Sequence, residues 1–221
     1  MATMAQGNAA TADREWFIVG RWQELAGETR TNLLRIASIG LFYLIELINY
    51  HLVTTPDADL TTFHKKVTAL AAAWTMVSLA VLLCLRMRFF PPYLKYCSAG
   101  CDLLLLTALA SIDHGPASKL ADGPFSPVVL AYFFIISLAA VRFSLGLVWF
   151  STLGSMVGYL ALVGLADKTW FDADHAVPPV QTLITLAALG MTGIVMGQVV
   201  RRVRSLAEEY SSRLKGAKGS K

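Results

Sequence analysis

Residues 126–166 read SPVVLAYFFIISLAAVRFSLGLVWFSTLGSMVGYLALVGLA, an apolar run interrupted by a single charge, Arg142. A helix crossing about 30 Å of hydrocarbon needs roughly 20 mostly apolar residues. This run is far too long for one such helix. The segment Arg142-Phe143-Ser144-Leu145-Gly146 supplies the charge and the glycine of a tight turn. Two spans are therefore predicted, 126–142 and 146–166, the first barely long enough to cross.

Four further segments meet the same length criterion, 32–53, 66–85, 94–112 and 178–200. The expected fold class is an all-α membrane protein, a six-transmembrane-helix bundle. Composition agrees: 55% of the chain is hydrophobic and only 15% charged, where a soluble domain is about a quarter charged. Mean hydropathy is +0.54. Residues 1–31 are mixed polar and lack the apolar stretch of a signal peptide. Three cysteines give no disulfide framework. With a net charge of +4, the position of the charges matters more than their sum, and no nucleic-acid partner is expected.

Basic residues orient membrane helices by collecting on the cytoplasmic side. With both termini inside, the inner side holds fifteen of the 19 lysines and arginines, including Arg35, Arg142 and the seven from Arg201 onward. The outer side holds Lys65, Lys66, Lys119 and Lys168. Residues 1–31 form a cytoplasmic segment in which Trp16, Val19 and Trp22 share a helical face. That pattern suits a helix lying in the membrane interface or a short helix packed on the inner loops. The membrane domain covers 32–200, and residues 201–221 form a cytoplasmic exit helix and basic tail.

Helices in lipid approach closely through small residues. Gly154 and Gly158 form a GxxxG pattern in the fifth span, and Gly193 and Gly197 form another in the sixth. Packing within the bundle is the preferred expectation, contact across a dimer the other.

Glu46 and Asp102 are the acidic residues inside the expected spans, and neither has a basic residue three or four positions away. Ionisable groups at such depth mark functional or packing sites. Glu46 shares a polar stripe with Tyr43, Asn49 and Tyr50, and Glu46, Asn49 and Tyr50 are the candidates for a ligand site open to the outside. Asp102 lies nearer the cytoplasm, about 5–10 Å away in depth on the 1.5 Å helical rise, so the two acids are not expected to share a metal or proton site. His51, His64, His114 and His175 all fall on the outer side, with Asp57 and Asp59 in the first outer loop. Histidine and carboxylate together bind metals or respond to pH, but no pair has helical metal spacing, and solvated loop histidines are expected. Cys97 and Cys101 share a face, with Cys84 also near the inner surface; packing is their expected role. No motif of soluble catalysis occurs, so neither enzymatic activity nor a metal or cofactor is expected.

The C-terminal stretch carries Met196, Val200, Val203, Ala207, Tyr210 and Leu214 at alternating spacings of four and three, a heptad-like stripe. No Pro or Gly falls between Gly197 and Gly216, so the sixth span and a stalk can be one helix. Arg201, Arg202 and Arg204 sit where anionic headgroups hold basic side chains. An amphipathic tail lying on the membrane is the competing reading.

The runs YCSAGCDLLLLTAL (96–109), PVVLAYFFIISLAAVRFSLGLVWFSTLGSMVGYLAL (127–162) and VVRRVRSLAEEYSSRL (199–214) resemble the six-helix membrane anchors of bacterial adenylate/guanylate cyclases and of similar receptor kinases. The resemblance covers roughly residues 32–214 and rests on span layout, the Arg142 turn and the basic exit helix. It implies a dimeric, receptor-like module of the bacterial inner membrane whose exit helix serves a cytosolic effector. This chain holds no cyclase domain, so no catalytic residue carries over, and the effector would be a separate cyclase or kinase. A small transporter or channel is the alternative; it predicts broken helices, midplane polar residues on several spans and internal repeats.

Overall fold

The computed structural model describes residues 2–52, 58–87, 91–112, 123–167 and 177–219, with side-chain environments within 26–52, 58, 60–87, 91–112, 123–165, 177–207 and 209. Six α-helices follow one another: α1 Ala2–Leu52, α2 Ala58–Arg86, α3 Leu94–Ala110, α4 Ala131–Val141, α5 Leu145–Asp167 and α6 Pro179–Gly219. Two 3-10 turns, Gly123–Phe125 and Pro127–Leu130, precede α4. The described residues contain no strand.

Four helical stretches are long and apolar enough to cross a membrane: Ala26–Leu52, Leu60–Arg86, Leu145–Leu165 and Pro179–Ala207. α3 has 17 residues and α4 has 11, lengths of about 25 Å and 17 Å at 1.5 Å per residue. The second 3-10 turn extends α4 backwards into one apolar stretch, Pro127–Val141. Ser126 starts it, its side chain accepting a hydrogen bond from the Val128 amide at 3.3 Å with Pro127 at the first position, as expected of a cap and a residue that has no N–H to satisfy.

α5 is the central helix. It packs on α3, α4 and α6, and 44% of its apolar window is buried against 17% for those of α1 and α2. Leu103, Leu106, Tyr132, Ile136, Tyr159 and Leu162 form the main core, and a second cluster joins Ala99, Ala140, Leu147, Val148 and Val200. Both glycine pairs lie inside the bundle. A Cβ at Gly158 would stand 2.7 Å from the Tyr132 hydroxyl and 2.8 Å from Thr107 Oγ1, and one at Gly154 would overlap the end of Leu103. Gly193 lies against Thr152, and Gly197 against Leu145 at 3.4 Å. These small residues let helix backbones and hydroxyl pairs meet, the expected use of glycine in lipid.

The polarity is inverted relative to a soluble domain. Leu41, Phe42, Ile45 and Ile48 on α1 and Leu183, Ile184, Met191 and Val195 on α6 are exposed, while Glu28, Arg35, Asp102 and Arg142 are buried. Apolar faces of this extent suit a bilayer rather than water. Hydroxyls within the helices are turned back on their own backbone, as in Thr75 to Ala71 O and Thr192 to Ala188 O, both 2.8 Å.

Three local features go beyond or depart from the expectations. The turn between α4 and α5 is made by Arg142, Phe143 and Ser144, and its left-handed residue is Phe143 (φ 51°), not the glycine. Gly146 belongs to the first turn of α5, where a Cβ would come within 2.9 Å of the Tyr96 hydroxyl. Residues 2–31 continue unbroken into the first apolar helix, rather than forming a separate interfacial helix; the side chains of Trp16, Val19 and Trp22 lie outside the described residues. Finally, Arg35 and Arg142, counted among the inner-side charges, are only 2% and 8% exposed.

Candidate functional site

At one end of the bundle, α1, α2, α3 and the α4–α5 turn converge on a buried ionic network. Arg35 and Asp102 pair at 2.7 Å. The Trp74 indole donates to the other Asp102 oxygen at 2.8 Å. Arg35 also donates to Asn32 Oδ1 at 2.9 Å, and the Asn32 amide donates to Ser78 O at 2.9 Å. The Ser98 hydroxyl oxygen accepts from both Arg35 and Arg142. Arg142 donates to Lys95 O at 3.0 Å, and its Nε lies 3.4 Å from Glu28 Oε2. Two arginines and two carboxylates thus balance one another where neither sign is stable alone. α1 reaches the turn closely enough that a Cβ at Gly27 would sit 3.8 Å from Arg142 Cα.

α6 joins this end from outside. Arg204 donates to the carbonyl oxygen of Phe143 at 2.6 Å. α1 therefore enters, and α6 leaves, at the same end of the bundle. The stalk stripe is continuous with the core as far as Val200, which is 1% exposed, and emerges at Val203, 38% exposed, and Ala207. Arg201 and Arg202 are exposed beside it. The side chains of Tyr210 and Leu214 lie outside the described residues.

A second polar cluster sits at the opposite end of α1 and α2. His64 Nδ1 lies 3.2 Å from Glu46 Oε1, both side chains mostly buried. The Tyr50 ring stacks on the His64 ring with centroids 4.1 Å apart, and Tyr43 stacks more loosely at 6.4 Å. The Tyr43 and Thr68 hydroxyls approach to 3.3 Å. Of the predicted ligand trio, the structure brings Glu46 and Tyr50 together, while Asn49 is exposed on a different part of the helix surface. His64 was expected in a solvated loop. It is instead in α2, because that helix begins at Ala58, eight residues before the expected span. His51 is exposed at the end of α1, edge-on to Tyr50 at 5.6 Å. His114, His175, Asp57 and the Asp59 side chain lie outside the described residues.

The two clusters are distinct. Arg35 and Glu46 are separated along α1 by about 16 Å at the helical rise, with the buried Ile39 between them. Among the described residues no group of three or more His, Cys, Asp and Glu could hold a metal ion. Cys97 is exposed, and Cys84 and Cys101 are half-buried free thiols. The hydroxyls of Ser151, Ser155 and Tyr159, spaced by four along α5, are buried without a hydrogen-bond partner.

Sequence reasoning did not single out Trp74 or Ser98, nor the pairing of Arg35, His64 and Arg142 with mostly buried partners. For Arg35, His64, Ser98 and Arg142 the available signal is polarity near the ends of apolar segments, whereas Trp74 stands mid-segment and carries none. Removing His64 deletes the Tyr50 stack and the Glu46 contact together. His64→Ala is expected to destabilise the protein by about 1–2 kcal/mol, whereas Asn49→Ala stays within about 0.5 kcal/mol. Reversible unfolding in mixed micelles measures both, and equal effects would remove the case for the cluster. No family model, curated protein or solved structure matches this chain.

Proposed function

We propose that this chain is a membrane anchor and sensor module. In this reading six helices cross the bacterial inner membrane with both termini cytoplasmic. The Glu46–His64–Tyr50 cluster faces outward as the input, and α6 carries the output to a cytosolic stalk. The observation that carries the proposal is the continuity of α6, one helix from Pro179 to Gly219. Its membrane part packs on α5 through Gly193 and Gly197, and its charged continuation leaves the bundle. A helix shared between core and stalk transmits shifts that a flexible tail would absorb. The basic residues at Arg201, Arg202 and Arg204 suit the anionic cytoplasmic leaflet.

The likeness to cyclase anchors adds a homodimer with Val203, Ala207, Tyr210 and Leu214 as the seam, and a separate cyclase or kinase as effector. Cysteines placed at 203, 207 and 210 in a background lacking Cys84, Cys97 and Cys101 test the seam. Oxidative crosslinking is expected at these positions and not at residues 205 and 209 between them. Uniform or absent crosslinking would reject the dimer.

The transporter alternative is tested by flux in proteoliposomes. No substrate-dependent flux is expected, since the two polar clusters do not join into a path along the bundle. Measured transport would displace the sensor reading.

A further inference from the structure

We propose that the α4–α5 turn is a clasp through which the buried ionic network holds α6 in register at its exit. The inference rests on the sensor reading and adds to it the route by which a change in the bundle reaches the stalk.

Three features converge on two consecutive residues, Arg142 and Phe143. Arg142 inserts its guanidinium into the interior, where it meets Ser98, Lys95 O and Glu28. Phe143, next in the chain, has φ 51°, a left-handed conformation uncommon for a bulky residue. Such a conformation persists where its surroundings hold it. Its amide donates to Ala140 O at 2.9 Å, closing α4, and its carbonyl accepts from Arg204 of α6 at 2.6 Å. The orientation of that carbonyl depends on the left-handed turn, and the turn is anchored by Arg142.

Arg142 in turn shares Ser98 with Arg35, and Arg35 pairs with Asp102, which Trp74 also holds. One connected set of polar contacts therefore runs from α2 through α3 and α1 to the turn and out to α6. The Glu46–His64 contact joins the same two helices, α1 and α2, at their other end. A shift of α1 against α2 displaces Arg35 relative to Asp102 and Ser98. Arg142 must follow or lose its partners, and the Phe143 carbonyl then turns away from Arg204. Coupling of this kind requires an element with two arrangements that both ends bias. Phe143 supplies it, since a return to the right-handed region relieves its backbone and breaks the α6 contact in one step.

The test uses the full chain in lipid nanodiscs, with Cys84, Cys97 and Cys101 replaced by Ser. Spin labels at Leu83→Cys on α2 and Ala207→Cys on the stalk report their separation by pulsed electron resonance, diluted with unlabelled chain so that only intramolecular distances are read. The parent is expected to give one narrow distribution. Arg204→Gln and Asp102→Asn are each expected to broaden it, and the double variant to be no broader than either alone. Phe143→Gly, which adopts the left-handed turn freely, is expected to keep the parent distribution. If Asp102→Asn unfolds the bundle, Trp74→Phe replaces it as the milder disturbance of the same carboxylate. A parent-like distribution in the folded Asp102 or Trp74 variant overturns the clasp, as does additive broadening in the double variant. The two readings fail separately: measured transport with a coupled stalk would reject the sensor and keep the clasp, and uncoupled distances without transport would do the reverse.

Discussion

Arg35→Met is expected to cost about 3–5 kcal/mol of stability, because it strands the Asp102 carboxylate in the bundle without its counter-charge. The pair is made at 2.7 Å with both side chains almost fully enclosed, so water cannot replace the lost guanidinium cheaply. Ser98 and Asn32 lose a donor in the same step. Replacing both partners, as in Arg35→Met with Asp102→Leu, removes the uncompensated charge and should restore most of the loss. Recovery stays incomplete by about 1–3 kcal/mol, the usual cost of the unpaired indole N–H left on Trp74. Equilibrium unfolding of the purified protein in mixed micelles gives all three values. A single substitution costing less than about 1 kcal/mol would show that the pair does not hold the bundle.

Gly193→Ala is expected to cost about 1–3 kcal/mol by overpacking, although alanine is ordinarily the better helix former. The added methyl would meet Thr152, whose Cγ2 and Cβ lie 2.6 and 2.9 Å from its position. Thr152 cannot withdraw easily. It is β-branched and therefore stiff, 2% exposed, and its hydroxyl is bonded to Val148 O at 2.8 Å. The strain must go into separating α5 from α6. Gly190 is the control on the same helix: a Cβ there meets nothing within 4 Å, and Gly190→Ala should be neutral or stabilise by about 0.5–1 kcal/mol. Equal costs at the two positions would show that propensity, not contact, governs this face.

Much of the helical layout was legible because membrane helices are written in length and charge. The turn at Arg142 divides the 126–166 run, and four of the six expected spans, 32–53, 66–85, 146–166 and 178–200, coincide with helices long and apolar enough to cross, while 94–112 and 126–142 hold helices of 17 and 11 residues. The glycine pairs were legible for the same reason, since small residues spaced by four have few other uses in lipid. The partners of the buried acids were not. A test at three and four residues finds only neighbours on one helix, whereas Asp102 is paired from α1 and α2, and Glu46 from α2. Arg35 and Arg142 were counted with the inner-side charges, and nothing in their spacing marked them as buried. Their burial depends on how far α1 and the α4–α5 turn project into the bundle, which periodicity does not encode. Asn49 shows the converse limit: it fits the polar stripe by spacing alone, while the approach of α2 selects Tyr43, Glu46 and Tyr50. The left-handed Phe143 contradicts residue preference outright, with Gly146 three positions away serving a close contact instead.

The Arg35–Asp102 pair also constrains how the chain is made. α1 is synthesised before α3, so during insertion Arg35 meets the membrane without its partner, at a cost below the roughly 2.5–3.5 kcal/mol of a charge at a helix centre. Its place near the membrane edge of α1 lets the long side chain reach headgroups in the interim. Once α3 delivers Asp102, the arginine is drawn inward and the helices are locked. Neutralisation of Arg35 thus depends on α3 reaching α1, and a chain in which the two helices stay apart keeps an unpaired charge against the hydrocarbon.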